Sequence, residues 1–284
     1  MLAEVLGSLS REVFLAFAQA GAAIGLCLAV VLLCRRFAVH VERETVISLA
    51  RGLAQMALVG LILALLLHRH LLVGGLILLG MTVAAAVTAS RRAQGIPDAL
   101  RLSFSAIAAG SGVVIAGMLA TGVLTADIAT LVPVGSMIVA NAMNACAQSL
   151  ERFQAEVTAH VGQVEAGLAL GAAPAVTVAP YVQRAVYASL LPRLDMLKSL
   201  GLVWIPGVMA GMMVSGVNPI YAGIYQFVVV AMILAASGIA GLVVTLLIQT
   251  RVFSPAAQLL LRPGEPHPPG PGTMRQTMEL HRHE

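Results

Sequence analysis

The chain is 284 residues long, 59% hydrophobic and only 11% charged, with a formal net charge of +4. Soluble domains carry about a quarter charged residues, so a water-soluble globular protein is excluded. Its apolar residues lie in long continuous runs without the alternation of barrel strands, so the expected fold class is all-α, a polytopic integral membrane helix bundle.

A spanning helix needs about 20 mostly apolar residues. In chain order the runs that fit are 13–34, 53–67, 71–90, 104–124, 131–147, 196–215 and 221–249, about seven spans. The second is short and is expected to extend past its ends. Between the first two lies "RRFAVHVERETVISLARG", readable either as an amphipathic elbow on the membrane surface or as a simple loop. After the fifth run, "SLERFQAEVTAHVGQVEAGLALG" is made of good helix formers without proline, so that span should continue as a helix outside the membrane. The chain then turns at Gly171-Ala172-Ala173-Pro174 and a second helix returns. Residues 1–262 are thus expected to form one transmembrane domain, with 148–195 as its extension outside the membrane. The Pro- and Gly-rich residues 263–284 should be a disordered tail.

Lys and Arg orient the chain, because cytoplasmic loops are enriched in them. With the N-terminus outside and the C-terminus in the cytoplasm, fifteen fall on inner segments and two, Arg11 and Arg69, on outer ones, accounting for all 17. The positive charge then reflects topology, and no nucleic-acid partner is needed. The start, Met-Leu-Ala-Glu, lacks a basic region, so no cleaved signal peptide is expected. Cys27, Cys34 and Cys146 form no CxxC pattern and read as free thiols in a packed interior.

The predicted spans carry no Asp, Glu, Arg or His away from their ends. Proton-coupled transport and intramembrane hydrolysis both need such groups. No GxxxxGK[ST] phosphate loop occurs either, so no cofactor is expected in this chain, and energy for uphill transport should come from a partner. One polar stripe crosses a span: Met137, Asn141, Asn144 and Gln148 share a helix face. It reads equally as glue between helices and as the lining of a pathway. Met209, Met212 and Met213 lie beside the GxxxG of Gly207 and Gly211; they fit core packing or soft metal ligation. Asp195 and Lys198, three residues apart, can form a structural ion pair.

The stretches "VPVGSMIVANAM", "EAGLALGAAP", "LLPRLDMLKSLGLVWIPGVMAGMMVSGVNP" and Tyr225-Gln226, with "RGLAQ" at 51–55, together resemble the FetB family of ABC-transporter permeases. The run from Leu191 to Gln226 carries most of the specificity. Asn144 and Tyr187 depart from the family pattern, with an apolar and a basic residue usual at those positions. The resemblance implies a multi-pass cell-membrane permease, a homodimer in lipid. It would work with a separate ABC ATPase subunit, FetA-like, that binds the ATP, so this chain would not be an enzyme. Iron export is the activity the family suggests. Plant relatives are linked to aluminium tolerance, and one such complex to UDP-glucose, so a nucleotide sugar or another small solute stays open as cargo. A scaffold without transport and an ion-coupled carrier are alternatives of another class.

By the same resemblance, Glu165, Leu170, Gly171 and Ala172 would form the ATPase-coupling segment. Small side chains suit a helix that enters a groove, and Glu165 near its start would suit the helix dipole. Gln55, Met137, Asn141, Asn144 and Met209 are candidate pathway residues.

Overall fold

A computed structural model describes residues 12–37, 42–66, 71–93, 96, 98–254 and 258–261. The chain separates into two compact units, residues 1–68 and 69–284. The predicted tail, 263–284, lies outside the described residues.

The first unit holds α1 (Glu12–Arg36) and α2 (Glu42–Leu66), which pack on each other. The stretch read as an elbow or loop is mostly helix: α2 already begins at Glu42. The second span thus lies in a 25-residue helix, of which Arg43–Ile62, 20 residues, is apolar enough to cross a membrane. Cys27 is exposed and Cys34 half-buried, so neither sits in the packed interior expected of them. Cys146, in the second unit, does.

The second unit contains α3 (Leu71–Ser90), α4 (Ala99–Ala120), α5 (Ile128–Ala159), α6 (Val161–Ala169), α7 (Pro174–Ser199), α8 (Gly207–Val214) and α9 (Pro219–Ile248). Across both units α1, α2, α3, α4, α5 and α9 are long and apolar enough to cross a membrane. The fold is the polytopic helical membrane protein expected from the composition.

The 196–215 run is not one span. α7 ends at Ser199, and Gly201 turns the chain at φ 77°. The Ser199 carbonyl accepts from the amides of Leu202, Val203 and Trp204, a knot that no helix continues through. Pro206 then caps the short α8. Mean hydropathy hid these two breakers, because Leu202, Val203, Trp204 and Ile205 between them are apolar.

α5 is the organising helix; α3, α4, α7 and α9 all pack on it. The lipid tails are as apolar as leucine, so packing rather than water exclusion holds such helices together. The residues comply. α3 turns Gly74, Leu78, Thr82, Ala85, Ala86 and Ala89 inward and leaves Leu72, Leu76, Leu79 and Val83, at spacings of four, three and four, exposed on the other face. A Cβ on Gly135 of α5 would lie 2.8 Å from the Leu78 side chain. One on Gly110 of α4 would lie 2.6 Å from the Ala236 carbonyl of α9. Small residues here let backbones touch. By contrast, Gly207 and Gly211 have nothing within 4 Å of such an atom, so among the described residues no neighbour packs closely on the GxxxG glycines of α8.

α5 starts on a built cap. The Asp127 carboxylate accepts from the Thr130 amide at 2.8 Å and from the Thr125 and Thr130 hydroxyls. The Thr125 hydroxyl, then the Thr130 amide, hold its carboxyl below the ordinary 3.8. α5 then runs unbroken for 32 residues, so the expected continuation of this span as a helix is correct.

Candidate functional site

Along α5 the polar groups form a line between two cavities. At the α5 N-terminal end a cavity of about 390 Å³ is lined by Thr125, Thr130, Pro133, Met137, Met212 and Tyr225, among others. Pro133 sits inside the helix. Lacking an N–H, it cannot bond the Ala129 carbonyl one turn back, and Ala129 also lines the cavity. The first turn of α5 is thus left with one fewer intrahelical hydrogen bond beside this cavity.

One turn further, the Asn141 side chain donates Nδ2–H to the Met137 carbonyl at 2.8 Å. Its own carbonyl is approached by Arg193 Nη2 of α7 and by the Ser237 hydroxyl of α9, each at 3.4 Å. Arg193 Nη1 donates to Gln148 Oε1, again at 3.4 Å. Both distances are long for an N–H···O bond. Arg193 is only 7% exposed, and its Nε has no partner among the described residues. Near it, a Cβ on Gly241 would lie 2.9 Å from Ser149 Oγ and 3.1 Å from Ser189 Oγ, so α5, α7 and α9 meet on hydroxyls. Gln148 lines a second cavity, of about 410 Å³, with Arg92, Glu151, Arg152, Ala155, Ala188 and Pro192.

The predicted pathway residues divide on this line. Met137 and Asn141 lie on it and are half-buried; Asn144 is exposed. Met209 is half-buried, and its Cε is 3.7 Å from where a Gly223 side chain would begin. Met212, not Met209, shares a cavity with Met137. Gln55 is exposed on α2 of the other unit. No group of three or more His, Cys, Asp or Glu that could hold a metal occurs among the described residues.

Arg193 escaped the sequence analysis, which placed it outside the membrane with the other arginines. The signal was there. Val178, Val182, Ala185 and Ser189 form the buried face of α7, and Arg193 is the next residue on that face. An arginine continuing a small, apolar stripe marks a buried cation.

The predicted coupling segment is a separate feature at the other end of α5. α6 is a nine-residue helix closed by a Schellman turn. The Gly171 amide bonds Leu168 O at 2.9 Å and the Ala172 amide bonds Gly167 O at 3.0 Å, with Gly171 at φ 85°. A glycine tolerates this left-handed geometry without steric cost. Leu170 stands 89% exposed and Glu165 is exposed beside it. Glu165 is mid-helix, since α6 begins at Val161 and has no acid in its first turn; the expected favourable contact with the helix dipole is absent.

The turn is firmly held. Val164 is fully buried, and a Cβ on Gly167 would lie 2.8 Å from Thr177 of α7. Tyr181 donates its hydroxyl to Gln163 at 3.0 Å, stacks on His160 and lies under Arg184, which pairs with Glu156 at 3.2 Å. α5, α6 and α7 are thereby tied together. Asp195 and Lys198 form the expected ion pair at 3.3 Å, but about 70% exposed (69% and 72%), where such pairs contribute little.

Residues 17–253 match the family described as "Uncharacterised protein family (UPF0014)". The chain is 30% identical over 241 residues to "Protein ALUMINUM SENSITIVE 3" of Arabidopsis thaliana, covering 84% of this chain and 88% of that one. It is 31% identical over 219 residues to "UPF0014 membrane protein STAR2" of Oryza sativa, covering 77% of each. To the "Probable iron export permease protein FetB" of Escherichia coli it is 27% identical over 240 residues, covering 84% and 93%. No solved structure matches it.

Proposed function

This chain belongs to the UPF0014 family, and on that premise we propose that it is the membrane permease subunit of an ABC transporter exporting iron or another metal species. A separate ATPase subunit, FetA-like, supplies the energy, and the permease hydrolyses nothing itself. It works as a homodimer in a lipid bilayer of the cell membrane.

One observation carries the coupling role. The Leu170–Ala172 turn ends α6, which Tyr181–Gln163 ties to α7, and Arg184–Glu156 ties α7 to α5; α5 and α7 are the two helices that build the polar line. A push on Leu170 is delivered through packed side chains to Arg193 and Asn141 without passing through a flexible loop. Glu165, Gly171 and Ala172 complete the docking surface. The low charge of this turn suits an interface core. Cargo follows Met137 and Asn141 past Arg193. The cargo class rests on the FetB relative's name.

In this reading the α6–α7 turn faces the cytoplasm and the α4–α5 connection faces outward, with the N-terminus outside. Single cysteines at Ala126 and Ala173, in a background without the native three, test the orientation: an impermeant thiol reagent on intact cells should reach the first and not the second. The functional test is copurification. A coexpressed P-loop ATPase should copurify with the wild-type chain and lose it with Leu170→Asp. Retention of the ATPase by Leu170→Asp, at full turnover, would overturn the docking assignment.

A further inference from the structure

The second cavity, at the end of the polar line nearer α6, holds more positive charge than the protein around it neutralises. Of its two arginines, Arg92 is paired with Glu151 at 3.1 Å. Arg152 has no ion pair among the described residues. Behind Gln148 lies Arg193, whose partners are two neutral oxygens at 3.4 Å and whose Nε has none. The other acids on these helices are spoken for: Glu156 faces Arg184 and His160, and Asp195 faces Lys198.

A nearly buried guanidinium held only by distant neutral acceptors is costly, and in a membrane protein more so. Arg193 does not itself line the cavity, but it lies one hydrogen bond behind Gln148, and an anion in the cavity would offset its charge across that short, poorly screened distance. Guanidinium forks match the geometry of phosphate oxygens, and arginine is the residue of choice for such groups. About 410 Å³ holds a phosphate group with several waters, since a water occupies about 30 Å³. Gln148 and Glu151 give the hydroxyls and water of a phosphate ester something to bond.

We propose that the cavity lined by Arg92, Gln148, Glu151 and Arg152, backed by Arg193, binds the phosphate group of an anionic ligand. The proposal rests on the unbalanced charge of the exposed Arg92, Glu151 and Arg152 and on the buried Arg193 behind half-buried Gln148, not on which cargo the chain moves. The phosphate can come from a soluble phosphate ester or from an anionic lipid headgroup, which basic pockets between spanning helices also take.

The test is binding, with no transport step. Inorganic diphosphate is titrated into the full-length chain in phosphatidylcholine nanodiscs. Phosphatidylglycerol retention after exchange from mixed phosphatidylglycerol–phosphatidylcholine vesicles is measured by native mass spectrometry. Arg152→Gln should weaken the bound species about tenfold. Arg101→Gln removes the same charge from an equally exposed site outside the cavity and should leave binding unchanged. Diphosphate binding points to a soluble ester, and selective phosphatidylglycerol retention to a headgroup; either supports the site. Arg193→Gln should weaken the same species, and if that variant fails to fold, Arg152→Gln still decides. Absence of both bindings, or equal losses in Arg152→Gln and Arg101→Gln, overturns it.

Discussion

Arg193 Nη2 lies 3.4 Å from the main-chain carbonyl of Asn141, across 52 residues of sequence. The contact joins α7, which follows the turn proposed to dock the ATPase, to α5, which carries the polar stripe. It sets the central prediction. Arg193→Met removes a buried charge with weak partners, and swapping such charges for apolar groups is often neutral in stability. The variant should insert and unfold within about 1 kcal/mol of wild type, while iron export by cells expressing the complex falls at least about tenfold, a change of about 1.4 kcal/mol in transition-state stabilisation. Thermal unfolding in detergent and cellular iron content read the two effects separately. Full transport in a stable Arg193→Met protein would remove the line from the mechanism.

Asn141→Leu loses the bond to Met137 O, a contact within one helix, worth about 1 kcal/mol. The helix ladder remains, so the protein should stay folded. Transport should fall, because the polar step between the first cavity and Arg193 is gone. Unchanged transport would make the stripe packing alone.

Gly171→Val and Glu165→Lys probe coupling. Gly171 sits at φ 85°, where a β-branched residue is a genuine outlier. The Schellman turn should open and ATPase turnover of the reconstituted complex should drop, with membrane insertion intact. Glu165 is exposed, so Glu165→Lys should act only through the docked partner, by about 2–5 kcal/mol if it leaves a partner charge unpaired. Normal assembly and turnover in both variants would refute coupling through this segment.

Gly110→Ala should destabilise the bundle by about 1–3 kcal/mol, the usual cost of overpacking. The new Cβ would meet the Ala236 carbonyl at 2.6 Å and the Ala240 amide at 3.0 Å, and backbone cannot swing aside as a side chain can. Gly117→Ala, on the same helix with nothing within 4 Å, is the control and should be neutral or slightly stabilising. Equal melting temperatures for the two variants would contradict the α4–α9 contact.

Asp127→Ala should cost about 0.5–2 kcal/mol, the worth of a helix cap. The sign with pH follows from the direction of the shift. The folded carboxyl titrates below its ordinary 3.8, so its contribution is complete at neutral pH. It declines once pH drops below the unfolded value and vanishes as pH falls through the folded one. The stability gap between wild type and Asp127→Ala should therefore narrow as pH is lowered below the ordinary 3.8. A gap independent of pH would assign the cap to the threonines.

Much of this protein is legible in the amino-acid order because the information is local. A run of about twenty apolar residues that is also one unbroken helix is long enough to cross a membrane. Helix formers from Ser149 onward extend α5, and Gly171 ahead of Pro174 ends α6 and restarts the chain. Those outcomes depend on neighbours within a turn or two. The break at Gly201 was local as well, but averaging hydropathy over 196–215 concealed it. What sequence order cannot express is which distant groups meet. Arg193 and Gln148 are 45 residues apart, and Ser237 and Asn141 are 96. Whether Arg193 lies in water or inside the bundle depends on the side of α7 that packs against α5, which is decided by the summed fit of Val178, Val182, Ala185 and Ser189. Only the packed tertiary structure makes that choice, because burial is a property of all the helices at once.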